Sequence, residues 1–201
     1  MQIINCAQGT YEWHTLRSGR FTATDASEVK TAKKGLETCA LEKATFRITQ
    51  IPPDFFMTPA MERGKILEPR ARNAYRVATG QEVREVGFCV YDEYVGCSPD
   101  GLVGDDGLIE IKCKTDKNHL FAVINNWVDP DHYAQMQFQM LVTGRKWCDY
   151  VLFNDNFAEH PLYIQTVQID DKFQEGLLHG IKRGVDLIKQ YERQFKEAYT
   201  I

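Results

Sequence analysis

The spacing of hydrophobic and polar residues predicts helices along most of the chain, with short strands between them. Apolar residues recur at helical spacing over residues 36–49, 60–79, 131–144 and 171–199, and each stretch is expected to be an amphipathic helix. Alternating apolar and polar residues predict strands over residues 81–91, 147–154 and 162–169. Thr22 and Asp25 are good helix caps and predict a shorter helix from there to about residue 33. This order of elements predicts an α/β (α+β) domain in which a central mixed β-sheet is flanked by helices.

Two of these helices and two connecting segments carry further expectations. Pro69 lies inside the helix over residues 60–79 and should kink it. The stripe of that helix that should be buried consists of Leu67, Ala71, Ala74, Tyr75 and Ala78. The long helix over residues 171–199 could pack inside the domain or contact another subunit. The proline-broken segment 51–59 and the polar segment 114–119 are both expected to be loops.

A predicted hairpin in the middle of the chain carries the clearest chemical signal. Its two strands are expected over residues 96–103 and 108–114, on either side of a turn rich in Gly and Asp. Glu110 and Lys112 are two residues apart and must project from the same face of their strand, while Ile109, Ile111 and Cys113 point into the core. Asp100 follows Pro99 and can come alongside Glu110 across the hairpin.

Two carboxylates brought together in this way repel each other unless a cation lies between them. Oxygen ligands of this kind suit a hard divalent ion such as Mg²⁺ or Mn²⁺. The ammonium of Lys112 beside them can orient or activate a water molecule, so Asp100, Glu110 and Lys112 have the parts for metal-assisted hydrolysis of a phosphodiester. A lone Glu-x-Lys pair is usually a solvated surface pair. The Pro-Asp pair at a suitable distance upstream favours the site.

Composition and charge limit the class of protein. A chain of 201 residues, 43% hydrophobic and 26% charged, is expected to form one globular domain. The formal net charge of −4 is not that of a typical nucleic-acid binder, so any DNA contact must be a local basic surface. Six cysteines without paired spacing, no signal-peptide pattern and no long apolar run predict a soluble, reduced, intracellular protein without membrane contact.

Several motifs together resemble a known family. Pro99-Asp100 followed by Glu110-x-Lys112 is similar to the signature of the PD-(D/E)XK nuclease superfamily. The form Cys97-Ser-Pro-Asp-Gly-Leu102 resembles phage alkaline exonucleases of the lambda exonuclease (YqaJ-like viral recombinase) family. Four further matches occur in the family's order, Trp13-His-Thr-Leu-Arg17, Thr22-Ala-Thr24, Gly64-Lys-Ile-Leu-Glu68 and Tyr133-Ala-Gln-Met-Gln137. The resemblance covers residues 8–155 and implies a PD-(D/E)XK fold with its site at an edge of the sheet.

The resemblance also implies a role for each matching residue. Asp100, Glu110 and the carbonyl of Ile111 would hold Mg²⁺, for which Mn²⁺ substitutes, and a second ion would share Asp100 and lean on Glu68. Lys112 would act on the attacking water, and Gln135 would position water or substrate. Without the family, Glu68 and Gln135 are ordinary solvated helix residues.

The 5′ phosphate of the resected strand would be held by Arg17 and Thr24. Without the family, Arg17 makes a surface ion pair and Thr24 merely caps a helix. The apolar loop tip Phe55, Phe56 and Met57 could wedge into duplex DNA or plug the core, and the core is the expected place.

The activity implied is that of a Mg²⁺-dependent 5′-to-3′ exodeoxyribonuclease. It would digest one strand of linear double-stranded DNA to 5′-mononucleotides and leave 3′ single-stranded tails for recombination. A ring-shaped homotrimer, a partner single-strand annealing protein and a place in the cytoplasm of a bacterial host, if phage or prophage encoded, are implied as well. Two alternatives stay open, an endonuclease of the same superfamily and a non-catalytic DNA-binding protein.

Overall fold

A computed structural model describes residues 1–200 of the chain. Its helices and strands fall into three blocks along the sequence. The first block holds β1 (Gln2–Ile4), α1 (Tyr11–Ser18), a 3₁₀ turn (Ala23–Asp25), α2 (Ala26–Thr31), α3 (Lys34–Thr49) and α4 (Pro59–Thr79). The second holds β2 (Val83–Arg84), β3 (Phe88–Val90), β4 (Gly96–Cys97), β5 (Gly101–Val103) and β6 (Gly107–Lys112). The third holds α5 (Asp116–Ile124), α6 (Pro130–Thr143), β7 (Trp147–Phe153), β8 (Leu162–Gln168) and α7 (Asp171–Ala198).

The main sheet is mixed, as the sequence predicts. Its five strands lie in the order β2-β5-β6-β7-β8, where β6 and β7 are parallel and every other neighbouring pair is antiparallel. A second sheet, which the sequence did not indicate, pairs β3 with β1 on one side and β4 on the other. The active-site motif therefore lies on β6, the middle strand of the main sheet, and the predicted position at a sheet edge is wrong.

Both faces of the main sheet are covered. On one face α4 packs through Leu67, Ala71 and Tyr75 against Ile109 and Ile111 of β6. On the other face lies the larger core, which includes residues of α2, α3, α6 and α7. Helices on both faces of a mixed sheet confirm the predicted architecture.

The predicted stripe of α4 is confirmed in part. Leu67, Ala71 and Tyr75 are buried, but Ala78 in the last turn of the helix is exposed. The helix continues through Pro69 and ends at Gly80, whose φ of 68° is in the left-handed region that glycine adopts without strain.

Two predicted strands are broken, each where the chain passes from one sheet to the other. The stretch 81–91 divides into β2 and β3, and between them Gly87 passes so close to the first strand that an added Cβ would lie 2.3 Å from the Cys6 carbonyl. The stretch 96–103 divides into β4 and β5. Pro99 has no amide hydrogen to continue a ladder, which is the physical reason for the second break.

Segments 114–119 and 51–59 differ from the predictions, and the structure also shows where the long helix α7 packs. Segment 114–119 is not a loop, because α5 begins at Asp116, whose carboxylate accepts hydrogen bonds from Asn154 and Asn156. The apolar tip of the 51–59 loop does not enter the core, since Phe56 is 81% exposed. The long helix α7 packs within the chain, and its Gly180 lets it approach Val29 closely. No helix within residues 1–200 combines the length and the apolar character that crossing a membrane requires.

Candidate active site

Strand β6 presents the Glu110 and Lys112 side chains on one face, as their spacing predicts. Glu110 is 4% exposed, and its Oε1 atom lies 2.6 Å from Nζ of Lys112. A carboxylate this deeply buried needs partners for its charge. Lys112 is the nearest of them.

Asp100 stands directly before the first residue of β5 and reaches β6 from there. Pairing between β5 and β6 ends at Gly101 and Ile109, and beyond that point Oδ2 of Asp100 accepts a hydrogen bond from the amide of Ile111 at 2.6 Å. The carbonyl of Asp100 accepts two hydrogen bonds from Arg72 of α4, from Nε and Nη2, each 3.2 Å long. Both ends of Asp100 are thereby fixed beside β6.

The charges of this cluster favour an added cation. Burial and the neighbouring Glu110 and Glu68 carboxylates raise the pKa of Asp100 well above its usual range. Burial alone would lower the pKa of Lys112, but Glu110 and Asp100 raise it above its ordinary value. Lys112 therefore stays protonated, and its ammonium does not neutralise the site completely.

Helix α6 lies over this face and supplies a polar stripe. Nζ of Lys112 donates to Oε1 of Gln135 at 3.1 Å, and Nε2 of Gln139, one turn later, donates to Oε2 of Glu110 at 2.8 Å. His132, one turn earlier, lies with Nδ1 2.7 Å from the Tyr150 hydroxyl. Burial and the two nearby ammonium groups of Lys112 and Lys114 lower the pKa of His132 to about 3, so its ring is neutral.

Glu68 approaches from α4 on the opposite side. Its Oε1 atom accepts a short hydrogen bond from Nη2 of Arg72, one turn further along the helix. Burial raises the pKa of Glu68, and Glu110 raises it further against the opposing effect of Arg72. Arg72 itself is 6% exposed and also pairs with Glu85 at 3.0 Å. Glu68 is thus held near the two carboxylates but is bound to an arginine.

Arg17 and Thr24 lie together at another wall of the site. Nη2 of Arg17 donates to Oγ1 of Thr24 at 3.2 Å and to Oγ1 of Thr22 at 3.4 Å, and its guanidinium lies 4.3 Å from the centre of the Trp13 ring. Nε1 of Trp13 donates to Ser98 Oγ at 2.8 Å, which ties this wall to the Pro-Asp segment. Among residues 1–200, Arg17 has no carboxylate within 4 Å, so its charge is available to an anion.

All the residues singled out from the sequence line one cavity of about 380 Å³. They come from six separate places in the chain and are Arg17, Thr24, Glu68, Asp100, Glu110, Ile111, Lys112 and Gln135. Phe55 and Met57 of the exposed loop line the same cavity. The structure therefore brings the predicted carboxylates, ammonium and guanidinium together around one space.

The donor set suits a divalent cation, although the carboxylates are occupied by other partners. Within residues 1–200, no three acidic, histidine or cysteine side chains form a cluster that could hold an ion by themselves. Glu68 is turned onto Arg72, and Asp100 onto the Ile111 amide. The oxygens of Asp100 and Glu110, together with a backbone carbonyl, are nevertheless the hard ligands that Mg²⁺ and Mn²⁺ prefer. Burial first, and then the Glu110 carboxylate, raise the pKa of Asp100, and a cation between the two carboxylates would oppose both effects.

Several residues of the site were missed in the sequence. The helical repeat places Gln139 on the same face as Gln135, but no role was predicted for Gln139. Arg72 was not singled out, although it stands four residues after Glu68 and shares its face. Trp13 and Ser98 belong to the motifs, but the sequence did not predict a contact between them. Their hydrogen bond joins segments 85 residues apart, which no local pattern reveals.

The chain is similar to known proteins both in sequence and in fold. Residues 12–146 match the YqaJ-like viral recombinase domain. The crystal structure of an alkaline exonuclease (LHK-Exo) from Laribacter hongkongensis is similar with a TM-score of 0.87 and 32% sequence identity, covering 94% of this chain and 97% of that one. LHK-Exo in complex with dAMP is similar with a TM-score of 0.86, the same identity and the same coverage.

A phage-related exonuclease from Haemophilus somnus 129PT has a TM-score of 0.66 at 14% identity, covers 90% of this chain and 99% of that one, and shows likeness of fold alone. No curated protein matches the sequence significantly. The family match extends over well more than half of the chain, and the similarity to LHK-Exo over nearly all of it. The chain belongs to the YqaJ-like viral recombinase family and is a nuclease of the alkaline exonuclease type, as its motifs predict.

Proposed function

We propose that this protein is a metal-dependent 5′-to-3′ exodeoxyribonuclease. It would act on the ends of double-stranded DNA, release 5′-mononucleotides from one strand and leave a 3′ single-stranded tail. The observation that carries this proposal is the convergence of Asp100, Glu110 and Lys112 in a cavity that also contains Arg17 and Thr24. The related LHK-Exo is an alkaline exonuclease and has been crystallised with dAMP, which is a nucleoside monophosphate.

Asp100, Glu110 and the Ile111 carbonyl are the proposed ligands of Mg²⁺, and Glu68 the proposed outer ligand of a second ion. When bound, a divalent ion stabilises the charge that builds on the phosphate oxygens and makes water a better nucleophile. Mn²⁺ should substitute because it takes the same oxygen ligands. Glu68 would have to turn from Arg72 to serve, which a side chain one-third exposed can do.

Lys112 is proposed to position the attacking water. Its ammonium lies between Glu110 and Gln135, at 2.6 and 3.1 Å, which leaves a third N–H direction for the cavity. In the metal-free chain Glu110 and Asp100 raise the pKa of Lys112, so its ammonium is a hydrogen-bond donor and a positive charge there. It can also stabilise the developing negative charge on the phosphate.

The 5′ polarity is proposed to come from Arg17 and Thr24. A guanidinium without a carboxylate partner, next to two threonine hydroxyls, is a suitable cradle for a terminal phosphate. A strand whose 5′ phosphate rests there would place its first phosphodiester within the same cavity as Lys112. Phe55 and Met57 line this cavity, and together with the exposed Phe56 between them they are proposed to contact the DNA bases.

Digestion of defined DNA substrates tests the proposal. Linear duplexes with 5′-phosphate or 5′-hydroxyl ends and a covalently closed circle should be incubated with Mg²⁺, and in parallel with EDTA. We expect 5′-mononucleotides from the phosphorylated linear duplex, slower digestion of the hydroxyl duplex, an intact circle and no cleavage in EDTA. Cutting of the circle would mean an endonuclease, and no cleavage of any substrate a non-catalytic DNA-binding protein.

We further propose that the protein acts as a homotrimeric ring and delivers its product to a single-strand annealing protein. Family likeness supports both ideas. A ring also accounts for the net charge of −4, since basic residues need only line the channel while the outer surface is acidic. Light scattering at several protein concentrations tests the ring, and a mass of three chains, each 23.1 kDa, is expected. A monomer at every concentration would contradict it.

A further inference from the structure

We propose that Gln139 is a positioning residue of this site, which fixes the Glu110 carboxylate and offers its own carbonyl oxygen to a water molecule in the cavity. This inference rests on the proposed nuclease function. Gln139 lies on α6, is 3% exposed, and lines the same cavity as Asp100 and Lys112. None of the sequence motifs assigned it a role.

The contact with Glu110 determines how the amide is oriented. Nε2 of Gln139 lies 2.8 Å from Oε2 of Glu110 in a fully buried hydrogen bond. If the amide were turned over, two acceptor oxygens would face each other at this distance, which is unfavourable. Gln139 is therefore a donor to the carboxylate. Since Lys112 holds the other oxygen at 2.6 Å, the rotation of the carboxylate is fixed from both sides.

The remaining atom of the amide points to a ligand. Oε1 of Gln139 is buried and has no hydrogen-bond partner among residues 1–200. A buried carbonyl oxygen without a donor is costly, and this side chain borders a cavity that substrate and solvent must enter. A water molecule in that cavity satisfies the atom, and Gln139 then holds both the carboxylate and the water in one geometry.

Gln135 and Gln139, one helical turn apart, thus bind the two opposite charges of the site. Gln135 accepts from the Lys112 ammonium, while Gln139 donates to the Glu110 carboxylate. Gln135 presents its carbonyl oxygen to the ammonium, and Gln139 presents its NH₂ group to the carboxylate. Together they hold the Lys112–Glu110 ion pair in place between β6 and α6. Partners of this kind, which hold ligands rather than bind the ion, affect metal affinity and turnover strongly.

Replacement of Gln139 by methionine tests the inference, because methionine keeps the volume and the helix propensity but removes both polar atoms. Binding of Mn²⁺ to the DNA-free protein should be measured by calorimetry, and kcat and KM for linear duplex separately. We expect Gln139→Met to weaken Mn²⁺ binding and to lower kcat by about 10- to 100-fold each, with KM for DNA little changed. Unchanged Mn²⁺ affinity and kcat in the folded variant would overturn the inference.

Two further variants keep the test decisive. Gln139→Leu also removes both polar atoms and is a good helix former, so it should lose kcat as well, and wild-type turnover in it would contradict the role even if Gln139→Met failed to fold. Gln174→Met is the matched control, since Gln174 is also a buried glutamine but donates to the Gln137 carbonyl on α6. It should melt earlier with Mn²⁺ affinity and kcat unchanged. Wild-type protein that neither binds Mn²⁺ nor cleaves DNA would refute the proposed function instead.

Discussion

Nζ of Lys112 lies 2.6 Å from Oε1 of Glu110, two residues earlier on the same strand. The pair is enclosed, since the Glu110 side chain is only 5% and the Lys112 side chain 26% exposed. A surface pair of this kind would contribute little. In this site the two charges are held by Gln135 and Gln139 above them and face Asp100 beside them. One ammonium serves two carboxylates, and the excess negative charge is what a metal ion would neutralise.

Loss of the ammonium should remove cleavage without unfolding the protein. In Lys112→Ala the water has no donor to position it, and we expect kcat on linear duplex to fall by about 100-fold or more. Lys117→Ala is a suitable control because Lys117 is exposed on α5. Circular dichroism should show both variants folded. A Lys112→Ala protein with the wild-type rate would rule out the role given to this lysine.

Arg17→Ala should reduce the preference for phosphorylated ends. The variant loses the guanidinium beside Thr22 and Thr24, so the rate on 5′-phosphate duplex should fall roughly 10-fold or more, towards the rate on 5′-hydroxyl duplex. The ratio of the two initial rates is the measurement. Arg193→Ala, on the exposed side of α7, should leave the ratio as it is. If Arg17→Ala leaves it unchanged too, the phosphate lies elsewhere.

The metal-free protein should lose stability as the pH rises. Burial, Glu110 and Glu68 raise the pKa of Asp100 in the folded chain. A carboxyl group with a raised folded pKa contributes stability below its unfolded pKa, near 4, and that contribution is lost as the pH rises through the folded pKa. In EDTA, the Asp100 carboxyl should therefore lower Tm as the pH rises from acid to neutral. Added Mn²⁺ should raise Tm most at the alkaline end.

Asp100→Asn isolates this effect, because the amide keeps the shape and carries no charge. In EDTA at pH 8 we expect its Tm to exceed that of the wild type by roughly 2–8 °C, the shift that about 1–2 kcal/mol produces in a domain of this size. Mn²⁺ should no longer stabilise it appreciably. A lower Tm for Asp100→Asn than for the wild type at pH 8 would show that Asp100 is not under electrostatic strain.

The exposed apolar loop should matter for DNA and little for folding. Phe56 is 81% exposed in the loop that borders the cavity, so Phe56→Ser should change Tm by no more than about 1–2 °C. We expect it to weaken binding of duplex ends by about 5- to 150-fold, because stacking on bases is worth about 1–3 kcal/mol. Fluorescence anisotropy with labelled duplex in EDTA measures this. If Phe56→Ser bound duplex ends as tightly as the wild type does, the loop would not contact the DNA as proposed.

Local patterns predicted most helices and several strands. The helices predicted over residues 60–79 and 131–144 both end at a glycine in the left-handed conformation, Gly80 and Gly144. The pair Glu110 and Lys112 shares a face because strand geometry requires it. The family motifs led to eight site residues that all line one cavity. These features depend on neighbours in the sequence or on motifs, so they could be read without tertiary structure.

What the sequence did not reveal depends on contacts between distant segments. The breaks at Gly87 and Pro99 occur where the chain changes sheets, and only the packing of Gly87 against Cys6 makes the first one necessary. The strand β6 lies in the middle of the sheet because it pairs in parallel with β7, which follows it only after two intervening helices. The expected core position of Phe56 failed since hydrophobicity alone does not distinguish a buried side chain from an exposed one.

Anomalous diffraction from crystals soaked in Mn²⁺ is the sharpest test of the proposed metal site. We expect a strong peak coordinated by carboxylate oxygens of Asp100 and Glu110, with the Lys112 ammonium beside it and Gln139 still bonded to Glu110. Soaked crystals of Asp100→Asn should show the peak weakened or lost. If the wild-type crystals show no manganese between these carboxylates, or if the Lys112 amine faces away from the ion, the proposed site is contradicted.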